Sequence, residues 1–338
     1  MKKLALAFAL AAAANLHAAY HVARHIPVGG TGGWDYPMVD SVAGRLYLSH
    51  GDHVEVIDVV SGKVVGTIPK TDGVHGIAIG RTRGQLHRGY ISNGRAGTMT
   101  IFDLEKLNTL AEVKATGENP DAILYDPASV RIFTFNGRSH NTTVFNNDGR
   151  VLATLDLDGK PEFAQADGAG HVFVNIEDKN ELTEIDSGKL TVVRTWSLAP
   201  CEEPSGLAID REHHRLFSVC QNQKMVISDT DSGKVIAAVE IGRGPDGAAF
   251  DPEKQLAFSA NGADGTLTVV REVSPTEFNV VATVPTARGA RTITLDEKTH
   301  LIYLPTAKFG PPPAPTADRP RPRPTILPDS FEVIEVAP

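Results

Sequence analysis

One short pattern, returning seven times, constrains this chain more than any other feature. It runs Trp34 to Asp40, Val74 to Gly80, Pro120 to Asp126, Pro161 to Asp167, Pro204 to Asp210, Pro245 to Asp251 and Ala290 to Asp296. Successive copies end 40, 46, 41, 43, 41 and 45 residues apart. A period near 40 marks supersecondary units that cannot bury their own apolar faces and must stack on their neighbours. Each copy leads into alternating runs such as Val54 to Asp58, Thr98 to Asp103, Leu182 to Asp186 and Met225 to Asp229. That period-two alternation marks half-buried strands. Turns follow at Ser61-Gly62-Lys63, Ser187-Gly188-Lys189 and Ser232-Gly233-Lys234, residues that suit tight hairpins. Last strands follow at Val64 to Ile68, Thr191 to Trp196 and Val235 to Ile241. Four strands, seven times over, predict an all-β chain: a seven-bladed β-propeller with four antiparallel strands per blade.

The two ends predict how the ring closes. Phe331 to Val336 reads as a third strand with nothing after it, and Val22 to Pro27 as a fourth strand with nothing before it. Pairing them in one blade hides two exposed edges. Residues 20–338 then form a single propeller domain. Its proline-rich insertion at 310–328 cannot be regular strand, because proline lacks the ladder donor.

The segments Pro245 to Asp251 (PDGAAFD), Phe258 to Asn261 (FSAN) and Val226 to Val235 (VISDTDSGKV) resemble the repeats of the YVTN-repeat, or YncE-like, bacterial β-propellers. The resemblance spans nearly the whole chain after residue 19. It implies the propeller fold and a binding or scaffold role. A more distant likeness, to seven-bladed lactonases and lyases, implies work at a channel mouth, and fold alone does not choose between the two.

Aligning the repeats places one residue per blade at the start of the innermost strand: Asp35, His75, Asp121, Glu162, Ser205, Asp246 and Arg291. The end of each second strand returns beside them and supplies His50, Asn93, Asn136, Asn175, Asn222, Asn261 and Thr306. Aspartate and asparagine at strand ends commonly hold turns by bonding loop amides. Trp34, His50, His75, Glu162 and Arg291 break the repeat's own pattern, all at one mouth, and mark a candidate ligand-binding site. Two N-G-R turns offer Arg95 and Arg138 as clamps for a carboxylate or phosphate. Glu177, Glu202 and Glu203 add carboxylates near the same rim.

The sequence leaves a divalent cation open as a cofactor. His50 and His75, with Asp35, suit zinc, whereas Glu162 with Asn136, Asn175 and Asp246 offers oxygen ligands for calcium. With metal bound, His75 or Asp35 would move the proton of a hydrolase or lyase. Without it, the mouth binds a small polar or anionic molecule or a protein. No H-E-x-x-H, C-x-x-C or G-x-S-x-G motif appears. The Gly29 to Gly33 run leads into a strand and reads as a crossover between blades.

Composition bounds the rest. The formal charge of −8 argues against nucleic acid, which requires a basic stripe. The one basic cluster, Arg319, Arg321 and Arg323, lies in the proline-rich loop. Lys2 and Lys3, the apolar run Leu4 to Ala14, and Ala18-Ala19 read as a cleaved signal peptide over residues 1–19. That run is too short to span a bilayer. The expected compartment is the periplasm, where Cys201 and Cys220 can form a disulfide, and the expected state is a monomer.

Overall fold

The computed structural model describes residues 20–81, 87–314, 316 and 324–338. The expected signal peptide and the arginines of the proline-rich loop lie outside the described residues. Seven four-stranded antiparallel sheets form the ring. Blade 1 comprises Pro37–Asp40, Arg45–His50, His53–Asp58 and Lys63–Pro69. Blades 2 to 6 follow the same order, with innermost strands Val74–Arg81, Pro120–Asp126, Pro161–Ala166, Pro204–Asp210 and Pro245–Asp251. Blade 7 combines Thr294–Asp296, Leu301–Thr306 and Glu332–Ala337 with the N-terminal His21–Pro27. There His21 pairs with Ala337 and Pro27 with Glu332, so the expected closure is present.

Each blade buries its faces against its neighbours. Phe133, Phe135 and Val144 of blade 3 pack with Val172, Val174 and Ile176 of blade 4, all within 1% exposure. Burying a side chain of this size stabilises by about 1.5–3 kcal/mol. The outermost strands alternate exposed and half-buried residues, as in Thr191–Ser197, because only one neighbour covers them. The aspartate closing most repeats has a local cause. Its carboxylate accepts the amides two and three residues on, at 3.0 and 3.3 Å for Asp210 and at 3.1 and 3.2 Å for Asp40. That contact fixes the turn to the second strand.

At the other end of the innermost strands the ladder breaks in a regular way. In blades 2 to 6 the register shifts directly after Val74, Pro120, Pro161, Pro204 and Pro245. A bulge leaves the next residue unpaired and re-aims its side chain. The bulged residues are His75, Asp121, Glu162, Ser205 and Asp246. Backbones crowd just inside this level: a Cβ on Gly206 would stand 2.6 Å from the Gly247 Cα.

Candidate functional site

The bulges of blades 2 to 6, with the segments leading into the innermost strands of blades 1 and 7, gather residues from separate blades at one mouth of the channel. His75 Nδ1–H of blade 2 donates to Asp35 Oδ2 of blade 1 at 2.6 Å and faces Asp121 Oδ1 of blade 3 at 3.4 Å. Arg291 of blade 7 donates Nε–H to Asp246 Oδ2 of blade 6 at 2.7 Å and a terminal N–H to the Trp34 carbonyl at 2.8 Å. It also lies 3.7 Å from Asp35 Oδ1. Asp121, His75, Asp35, Arg291 and Asp246 thus form a continuous charged arc across five blades. Glu162 of blade 4 stands apart with Lys160, whose Nζ is 3.1 Å from Glu162 Oε2 and also bonds Glu177.

Two aromatic residues close the funnel beneath this arc. Tyr36 and Phe163 come from blades 1 and 4, three blades apart, yet their rings meet at 4.8 Å. They reach across because the equivalent positions are small: Gly76, Ala122, Gly206, Gly247 and Thr292. Both aromatics break the repeat pattern as clearly as His75 does. The rule that selected the ring residues, applied one position further on, would have found them. Beyond this floor, at the opposite mouth, lies a separate cavity of about 460 Å³ lined by Phe163, Ala208, Ala248, Phe250 and Ile293. Its walls carry none of the ring residues.

The electrostatics are those of crowded, largely buried carboxylates. Burial, then the Asp121 charge, pushes Glu162 up to about 8 against the pull of Lys160. Burial lifts Asp121 to about 7, although His75 draws it down, and Asp246 to about 6 despite Arg291. Burial would depress His75, but the Asp35 hydrogen bond and the charges of Asp121 and Glu162 override it and hold His75 at about 9. The Tyr36 phenol is held well above its ordinary range by burial and by Glu162, Asp121, Asp35 and Asp246. Asp121 Oδ1 and Glu162 Oε2 are buried, with His75 Nδ1 at 3.4 Å and Lys160 Nζ at 3.1 Å as their charged neighbours. Five carboxylates, counting Glu177, face three cations, Lys160, His75 and Arg291.

The other sequence candidates lie elsewhere or serve other ends. Trp34 is 6% exposed, stacked on Phe331 at 5.4 Å with the Arg291 guanidinium over its ring. It is a wall behind Arg291. Asn93, Asn136 and Asn261 are fully buried, and each bonds two side chains of its own third strand: Thr98 and Thr100, Asn141 and Thr143, Thr266 and Thr268. Asn175 bonds the carbonyls of Ser205 and Gly206, and the buried Ser205 hydroxyl bonds the Pro245 carbonyl at 3.0 Å. These contacts tie blade 4 to blade 5 and blade 5 to blade 6. Asn222 is displaced from the ring, because Pro204 pairs with Cys220, and Ile176 takes the matching place in blade 4. Asn222 donates to the Pro200 carbonyl instead. Thr306 bonds the Arg288 carbonyl. Arg95 is exposed and paired with Asp72 at 2.8 Å, and Arg138 and Glu202 are exposed. Cys201 and Cys220 form the expected disulfide, with Cα atoms 5.5 Å apart.

The metal set drawn from sequence is regrouped. Among the described residues, ligand atoms of Asp35, His75 and Asp121 cluster within 4.8 Å, as do those of His50, His53 and Glu55, and of Asp210, His213 and Glu272. His50 and His75 fall in different clusters, because His50 points between blade 1 and Phe331, with ring centroids 4.5 Å apart.

No family model and no curated protein matches the chain. Solved structures do. The chain is similar to Kuenenia stuttgartiensis hydrazine synthase, at 15% identity and a TM-score of 0.70, over 83% of this chain and 94% of that one. A structure of U3-55K matches at 10% identity and a TM-score of 0.74, over 92% and 97%. The RRP9 WD40 repeats match at 10% identity and a TM-score of 0.75, over 93% and 97%. Likeness at this identity establishes the seven-bladed propeller fold, and with the disulfide, which persists in oxidising compartments, it bounds what the chain shares with known proteins.

Proposed function

We propose that this is an exported, periplasmic binding propeller of the YVTN-repeat kind, holding a small polar ligand of positive charge in the funnel above Tyr36 and Phe163. One observation carries the sign of the ligand. Asp121 and Glu162 are buried beside single cations, His75 at 3.4 Å and Lys160 at 3.1 Å, in a mouth where carboxylates outnumber cations. Crowding buried carboxylates together is costly, and a protonated amine or a metal cation offsets their mutual repulsion. An anion, the other expectation from sequence, would meet like charge, since Arg291 is already engaged by Asp246 and Trp34. The repeat segments support the family, and the apolar run before residue 20 supports export.

A second reading, a metal-assisted hydrolase or lyase of lactone-like substrates, is favoured by the Asp35, His75 and Asp121 cluster. These residues would hold the ion, which would polarise a substrate carbonyl.

A thermal-shift and calorimetric screen of small amines, divalent cations and carboxylates separates these readings. Binding of amines, weakened at least about tenfold by D121N and E162Q, supports the first. Binding of a divalent ion alone, lost in H75N and D121N and accompanied by lactone turnover, supports the second. Ligands restricted to carboxylates would overturn both.

A further inference from the structure

We infer a second, separate site on blade 1: a zinc-type cation site built from His50, His53 and Glu55. The strongest support is the molecule's own repeat. In blades 2, 3 and 6 an asparagine ends the second strand and bonds the first and third residues of the third strand. These clips are Asn93 with Thr98 and Thr100, Asn136 with Asn141 and Thr143, and Asn261 with Thr266 and Thr268. In blade 1 the same three places hold His50, His53 and Glu55. All three clip positions have changed together, from neutral hydrogen-bonding residues to nitrogen and oxygen ligands of the kind zinc takes.

The substitution leaves a gap that a hydrogen-bond clip would have filled. His50 is 2% exposed, and both its ring nitrogens are buried without a hydrogen-bond partner among the described residues. Buried polar atoms are rarely left so, and an unmodified orphan points to an absent partner. The ligand atoms of His50, His53 and Glu55 lie within 4.8 Å of one another. His53 Nε2 and Glu55 Oε1 are 3.2 Å apart, close to the roughly 3.3 Å separating two ligand atoms of a tetrahedral zinc. His53 Nδ1 faces Asp52 Oδ1 at 2.9 Å. That is the carboxylate contact which orients a ligating histidine and turns its other nitrogen to the metal. Thr67 holds the second oxygen of Glu55 at 3.0 Å.

Access and rigidity also suit a cation. His53 and Glu55 keep 24% and 17% of their side chains exposed, so an ion can enter from solvent. His50 is fixed from behind by Phe331 and from above by the glycine-rich run. A Cβ on Gly30 would stand 2.8 Å from the His50 Cε1 atom, and one on Gly32 3.3 Å from its Cδ2. The run is pinned by Gly51 N–H to the Gly33 carbonyl and Asp329 N–H to the Gly30 carbonyl, both at 2.9 Å. The glycines that read as a mere crossover thus hold the ring of His50 in place.

The test uses the chain without an affinity tag, stripped with a chelator and titrated with zinc by calorimetry, with cobalt absorption as a second readout. The wild type should take up zinc. H53Q and E55Q, both altered at partly exposed positions, should lose one equivalent or bind it at least about tenfold more weakly. H50N, which restores the residue that blades 2, 3 and 6 carry, should do the same while staying folded. D121N, at the channel mouth, should retain that equivalent. No uptake of zinc by the wild type, or uptake unchanged in H53Q and E55Q, overturns the site. Uptake lost in D121N alone would overturn it too, by assigning the ion to the mouth.

Discussion

His75 Nδ1–H meets Asp35 Oδ2 at 2.6 Å, across the junction of blades 2 and 1. This bond joins the two residues on which proton movement at the mouth would depend, and it helps hold the His75 imidazolium charged. Removing the Asp35 charge should bring the titration of His75 from about 9 back toward its ordinary value of about 6.5. Histidine ring-proton NMR of D35N measures this directly. A titration that stays near 9 would mean that Asp121 and Glu162 alone hold the charge.

The same groups set how stability responds to pH. The folded-state pKa values of Glu162, Asp121 and Asp246 are raised, so ionising them costs folding free energy. Raised His75 contributes stability below its unfolded pKa and loses it as pH climbs through about 9. Both effects have one sign, because the folded state binds more protons across this window. The melting temperature should therefore fall between pH 6 and 9. E162Q, which cannot ionise, should flatten that fall, and a profile as steep as the wild type would refute the assignment to Glu162.

The repeat was legible because period-two strands and turn chemistry act locally. Blade count followed from the repeat, closure by Val22 to Pro27 from the strand patterns at the two ends, and the Cys201 to Cys220 bridge from hairpin register. The mouth was half legible. Asp35, His75, Asp121, Glu162, Asp246 and Arg291 come together because they share one repeat position, at or just before the start of the innermost strand, which repeat alignment reveals. What alignment could not show is a register change of one or two residues, which swapped Cys220 for Asn222 and Ile176 for Asn175. Nor could it show direction: a buried asparagine clipped to two threonines and one open to the channel look alike in sequence. The Tyr36 to Phe163 contact was hidden for a different reason, since it crosses the axis between blades that share no edge.

That contact yields a prediction of its own. Phe163 and Tyr36 floor the funnel only because small residues ring them. F163A should cost about 2 kcal/mol, less than a fully buried phenylalanine because one side faces the lower cavity. Y36F keeps the ring and should leave stability nearly unchanged while weakening any mouth ligand that bonds the phenol. Chemical denaturation of both variants, beside calorimetry with the mouth ligand, checks the pair. Equal destabilisation by both would show that the hydroxyl itself supports the fold.

The disulfide closes a chain segment with a sequence separation of 19. Loop entropy then gives about 3 kcal/mol of stabilisation. Reduction, or the C201S/C220S double variant, should lower the melting temperature by about 5 °C. The mouth should keep its arc, because Cys220 lies in blade 5, which supplies no member of the arc. A drop under 1 °C, read by calorimetry with and without reductant, would show that the rim of blade 5 is ordered without the bond.

Ring closure is the last relationship open to a direct test. Ile26 and Ile68 hold matching places near the ends of fourth strands, in HVARHIP and KVVGTIP, and both are within 1% exposure. Truncating either to alanine should cost about 2–5 kcal/mol. Their kinetic effects should differ. The strand of Ile68 is tied to its sheet by a hairpin, whereas that of Ile26 is held in blade 7 by noncovalent pairing with Glu332–Ala337. Weakening Ile26 therefore frees both chain ends together, and an edge so exposed opens as a unit. Native-state hydrogen exchange should show faster opening of residues 21–27 and 332–337 in I26A, with I68A leaving those amides protected. If both variants loosened only their own strands, the seam would be no weaker than an ordinary blade, and closure would owe its strength to the flanking core of Trp34, Phe331 and Leu48.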